Sequence, residues 1–144
     1  MSGALAASPL PLLLAVAGAT AYHLAQKSVP GDAAPFVVIA VAYLAGFVAS
    51  VGAVLAGGAP VAETVRAAWK PAVAIGLSAL TIEAGFLLAY RAGWPISTAS
   101  LISNTAVAVL LLGAGLALYR ETLTAPQWLG AALCLAGLAL LAAR

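Results

Sequence analysis

The chain has 144 residues, 65% of them hydrophobic and 7% charged, where an average soluble chain is about a quarter charged. Six basic and four acidic residues leave a net charge of +2, no footprint for nucleic acid, and one Cys with one His supplies neither a zinc site nor a disulfide framework. A soluble enzyme, a metal-cluster protein and a disordered tail are excluded, which leaves an all-α integral membrane protein with no metal and no cofactor.

A bilayer core about 30 Å thick takes roughly 20 apolar helical residues per crossing. Five apolar runs follow one another: Leu10–Ala25, Ala34–Ala56, Pro71–Tyr90, Ile96–Tyr119 and Pro126–Ala143. They form one transmembrane domain over residues 1–144 with no room for an aqueous one. The first run holds Pro11 but no Lys or Arg precedes it. A cleaved leader wants a positive start, so this run is read as a retained helix. The charges fall between the runs: Lys27 and Asp32, then Glu63, Arg66 and Lys70, then Arg91, then Arg120 and Glu121, then Arg144. Trp69, Trp94 and Trp128 lie within two residues of Pro71, Pro95 and Pro126. Three spans are therefore expected to begin with an interfacial Trp and an N-terminal Pro.

Five crossings put the termini on opposite faces. One face then holds Arg66, Lys70 and Arg120, and the other Lys27, Arg91 and Arg144, a tie of three against three. Lys/Arg asymmetry normally sets orientation. A tie leaves two readings: one orientation fixed by folding or insertion, or a chain that inserts both ways and pairs antiparallel with itself.

The last two spans carry a pattern. Ser97-Thr98-Ala99-Ser100-Leu101-Ile102-Ser103-Asn104 leads into an apolar run that ends at Tyr119-Arg120-Glu121-Thr122-Leu123-Thr124. Pro126-Gln127-Trp128-Leu129-Gly130 and Ala136-Gly137-Leu138 follow. This R-E-x-L-T loop, then Q-x-x-G, then a small-residue helix resembles the EamA-type repeat of the drug/metabolite transporter superfamily. The resemblance is firm over Glu83–Leu141 and weak over the first two spans. It implies a secondary transporter in the cell (inner) membrane. Larger members hold two repeats of opposite orientation, so a single-repeat chain implies an antiparallel homodimer, or a heterodimer with a paralogue. The four-helix small multidrug resistance family is a relative whose first helix carries a membrane-embedded Glu upstream of a Lys. If Lys27 matches that Lys, the equivalent position here is close to Ala19, and the first span has no carboxylate. That family's export of cationic drugs is therefore not carried over.

Candidate site residues follow from their placement. Glu83 is the acidic residue well inside a span, where a charge costs several kcal/mol on insertion scales, about 2.5–3.5 for Asp. It can exchange a proton or pair with a cationic substrate; the structural alternative is a protonated Glu bonded to a neighbouring helix. Arg91 lies eight residues on, too far for a same-helix pair. Tyr90, seven residues after Glu83, shares its face and is either a substrate contact or an interfacial Tyr. His23, beside Tyr22, is a second proton-site candidate because His titrates near neutrality, or it is simply hydrogen-bonded.

The start of the fourth span is polar, with Ser97, Thr98, Ser100, Ser103, Asn104 and Thr105, and Ser97, Ser100 and Asn104 fall on one helical stripe. By the resemblance, Ser100, Ser103 and Asn104 occupy the substrate-facing place; the alternative is helix–helix hydrogen bonding. Small residues recur as Gly46, Ser50, Ala53 and Gly57, and as Gly130, Cys134 and Gly137, spacings that suit helix or dimer packing. The expected partners are membrane lipid, a small polar or amphipathic solute and a second copy. The alternatives are a flippase for a lipid-linked sugar, with Arg91 or Lys27 on its headgroup, and a non-transporting accessory subunit.

Overall fold

The computed structural model describes residues 8–142, and within them it is helical with no strand. Five helices follow one another: α1 (Leu10–Lys27), α2 (Pro35–Gly57), α3 (Val61–Arg91), α4 (Ile96–Leu118) and α5 (Ala125–Ala142). Ala143 and Arg144, which figure in the fifth span and in the charge tie, lie outside the described residues. Prolines set the entries. Pro35 opens α2 behind an extended Ala34, as expected of a residue that precedes proline, and Pro95 caps α4 in an extended conformation. Gly58 ends α2 at φ 61°, a left-handed stop that glycine adopts without steric cost.

The third helix differs from its apolar run. It begins ten residues before Pro71, at Val61, and Pro71 lies inside it. Glu63, Arg66 and Lys70, expected in a connection, therefore ride on its opening turns, and Trp69 and Pro71 do not mark its start. The stretch Val61–Lys70 is rich in Ala, Glu, Arg and Lys, strong helix formers, and Glu63 sits in the first turn where it complements the macrodipole. An interior Pro costs one backbone hydrogen bond, but it does not stop a helix favoured on both sides.

Two units make up the chain, divided between Gly93 and Trp94. In the first, α3 packs against both α1 and α2; in the second, α4 packs against α5. The buried residues are few: Ile39, Leu87 and Tyr90 in the first unit, Ala99 and Gly115 in the second. Large apolar side chains such as Leu12, Phe47, Leu110 and Leu133 are exposed instead. A soluble monomer does not present so much apolar surface; a bilayer requires it. By length and composition α2, α3 and α4 are each able to cross a membrane. At 18 residues each, α1 and α5 reach about 27 Å.

Candidate functional site

The polar side chains of the first unit converge where α1 and α3 meet. On α1, Tyr22 and Gln26 are one turn apart, and so are His23 and Lys27; residues four apart are neighbours on a helix surface. On α3, Glu83, Phe86, Leu87 and Tyr90 recur at spacings of three and four and make one face. Gln26 Nε2 donates to the Tyr22 hydroxyl at 2.7 Å and to the Glu83 backbone carbonyl at 3.3 Å. One turn further on, the Tyr90 hydroxyl and His23 Nδ1 share a hydrogen bond of 2.9 Å.

Rings fill the space between these bonds. His23 meets Phe86 edge to face with centroids 4.6 Å apart, and Phe86 lies 5.9 Å from Tyr90, separations at which aromatic pairs attract beyond their area burial. The Lys27 ammonium stands 5.5 Å from the centroid of the Tyr90 ring. Arg91 donates to the Ala33 carbonyl and so ties the end of α3 to the α1–α2 connection.

Beside this cluster is a cavity of about 150 Å³. Its polar wall is Tyr22, Gln26 and Glu83; Val29, Val38, Ile39 and Leu87 supply much of the apolar remainder. Among the described residues the Glu83 carboxylate has no hydrogen bond and no ion pair. Gln26 Oε1 is buried without a partner.

The structure brings Glu83, His23 and Tyr90 onto one α1–α3 contact. Tyr90 is only 6% exposed and is a buried partner of His23. Tyr22 and Gln26 were missed by the reading of the sequence. Their signal was present, an amide one turn beyond a tyrosine near the end of an otherwise apolar helix.

The polar half of α4 behaves differently. Ser100 returns its hydroxyl to its own helix, at 2.6 Å from the Ile96 carbonyl and 3.3 Å from that of Ser97. Ser97 and Asn104 are exposed and Ser103 half-buried; among the described residues none of the three makes a side-chain hydrogen bond. In the stripes of small residues, Ser50 likewise bonds back to the Gly46 carbonyl at 2.8 Å, and Cys134 is exposed. A Cβ added at Gly46, Gly130 or Gly137 would meet nothing within 4 Å.

The connection between α4 and α5 explains the R-E-x-L-T stretch physically. Arg120 takes φ 54°, a left-handed conformation uncommon outside glycine, and the Glu121 N–H donates to the Gly115 carbonyl at 3.0 Å. A Cβ on Gly115 would lie 2.6 Å from Glu121 Oε2, so this glycine leaves room for the folded-back carboxylate. Gln127 Oε1 accepts from the Thr124 N–H at 2.8 Å and from its hydroxyl at 2.9 Å. The side chain of the third helical residue thus reaches back to the cap, as in a capping box.

Those motifs place the chain among known proteins. The profile of the EamA-like transporter family matches residues 4–143. The chain belongs to the EamA-like transporter family. No curated protein and no solved structure matches it. As an EamA-like protein it is an all-helical, multi-pass membrane protein of a transporter family, and the match is to a single EamA-type repeat. The match runs through both units of this EamA-like chain.

Proposed function

We propose that this EamA-like protein is a secondary transporter of a small polar or amphipathic solute, coupled to protons through Glu83 and working in the inner membrane. One observation carries the reading. A carboxylate within a candidate span lines a cavity and has no hydrogen bond or ion pair among the described residues, in a chain where 7% of residues are charged. A carboxyl held only for structure would be expected to have its hydrogen bonds made. Left open, it is available to a proton or a solute. His23 is bonded to Tyr90, so its part is to hold α1 against α3 while Glu83 exchanges the proton. Ser103 and Asn104 offer a hydroxyl and an amide with no side-chain bond among the described residues.

The working form is an antiparallel homodimer, with inverted copies alternating access about a shared site. Balanced Lys/Arg counts support it, as does the open space beside Gly46, Gly130 and Gly137 in the small-residue stripes of α2 and α5. A flippase for a lipid-linked sugar is less favoured, because of the two basic groups it would use Arg91 already donates to the Ala33 carbonyl and Lys27 stands over the Tyr90 ring.

The test is proton-driven uptake of candidate solutes into proteoliposomes. Glu83→Gln is expected to remove the pH dependence and the driven flux together; unchanged flux and pH dependence would refute the coupling role. Tags on both termini, each tested for cytoplasmic exposure in the same cells, check the dimer. Exposure of each tag on both sides is expected, and one dominant orientation rejects the self-paired form.

A further inference from the structure

Two tyrosine hydroxyls near Glu83 each hold an unused proton. Tyr22, on α1, accepts from Gln26 Nε2 at 2.7 Å. A phenol also donates, and among the described residues the Tyr22 hydroxyl donates to nothing. Tyr43, on α2, has its hydroxyl oxygen buried with no hydrogen-bond partner. Solvent does not touch that oxygen, so a group of the protein has to complete it, and a buried hydroxyl left unbonded is costly. The charge of Glu83 acts on both hydroxyls.

The helices bring these groups to one level. Residues 58–60 join α2 to α3, and so short a connection makes neighbouring helices antiparallel. Tyr43 lies eight residues after the start of α2, at Pro35, and Glu83 eight before the end of α3, at Arg91. Each is therefore about 12 Å in from the same end of the pair. Tyr43 is one turn on from Ile39, which lines the same cavity as Tyr22 and Glu83. With about 150 Å³ of space beside it, the Glu83 side chain has room to change rotamer without a backbone shift.

We propose that Tyr43 is a positioning residue of the proton site: with Tyr22 it donates to the Glu83 carboxylate when that group is ionised, and so ties α1 and α2 to α3 in one protonation state. A carboxylate accepts at both oxygens, so it takes both hydroxyls at once. Bonds to the ionised form are about twice as strong as bonds between neutral groups; protonation loosens the grip. The other titratable groups of the packed helices are engaged one turn away, His23 in its bond to Tyr90 and Lys27 over the Tyr90 ring. Arg91 is bonded to Ala33, and α2 carries no charged side chain. That the pairing sets the pH dependence of transport rests on the transporter reading; the pairing itself does not.

Infrared titration of the full-length protein in lipid vesicles tests this, following the protonated carboxyl band that Glu83→Gln removes. Donors to the ionised form keep a carboxyl ionised to lower pH. Tyr43→Phe keeps the ring and loses the donor, so the midpoint is expected to rise by about half to one pH unit. Tyr22→Phe should act in the same direction and the double variant should shift further, with helicity by circular dichroism confirming the fold. An unchanged or lowered midpoint in Tyr43→Phe would overturn the proposal. A second measurement needs no tyrosine variant: tyrosine C–O stretching should change as Glu83 titrates and stay constant in Glu83→Gln, and constancy in both would also overturn it. A raised midpoint without proton-driven uptake keeps the pairing and removes the transporter reading. An unchanged midpoint with driven uptake does the reverse.

Discussion

The two units of this protein use their polar side chains in opposite ways. In α1–α3 they reach between elements: Gln26 to Glu83, His23 to Tyr90, Arg91 to Ala33. In α4–α5 they stay local, with Ser100 bonded within its own helix and Gln127 bonded to the Thr124 cap. The family match covers both units, residues 4–143, so membership does not distinguish them. What does is how far their polar side chains reach: those of α1–α3 join one element to another, and those of α4–α5 fix caps and reversals.

Substitutions test that division. The largest effect is expected at Glu83, where Gln should abolish proton-driven uptake in proteoliposomes; if Ser100→Ala does so instead, the division of roles is reversed. Next is Gly115→Val, which drives a side chain into the space of the Glu121 carboxylate; that carboxylate is the end of an exposed, flexible side chain, so the cost should be about 1 kcal/mol, the low end for overpacking. Denaturant titration measures it, and adding Glu121→Ala should recover part of the loss if the two groups are coupled as neighbours are. Tyr90→Phe keeps the ring and removes the bond to His23, for about 1 kcal/mol by the same titration. Thr124→Ala removes only the hydroxyl bond to Gln127 and keeps the one from the backbone N–H, so it should cost no more than about 1 kcal/mol. The smallest effect is expected at Ser50→Ala. Its hydroxyl bonds only to its own helix, so monomer stability should change by less than about 0.5 kcal/mol. A larger loss in the oligomer, seen by crosslinking, would place Ser50 on a protein contact.

Much of this was legible because a bilayer simplifies the code. Apolar runs gave five helices, and the rarity of charge made Glu83 stand out. Helix α3 was misjudged at its start because a proline beside a tryptophan looks like an entry, while the ten residues before it are good helix formers whether or not they lie in lipid. Tyr22 and Gln26 escaped because an uncharged amide near a helix end looks like a solvated residue; only the neighbouring helix reveals that its carbonyl oxygen is shut away. The role of Gln127 was present as T-x-x-Q ahead of an apolar run, a capping signal that the Pro and Trp beside it obscured.

Pro71 has no N–H to give the carbonyl of Ala67, so α3 lacks one backbone hydrogen bond there. With 31 residues the helix is about 46 Å long at 1.5 Å per residue, some 15 Å more than the hydrocarbon layer. The excess matches the charged segment Val61–Lys70 in length. A helix longer than the layer can leave its charged turns among the headgroups, so that the missing bond falls near the water, and the length that carries Glu83 and Tyr90 is the part matched to the hydrocarbon.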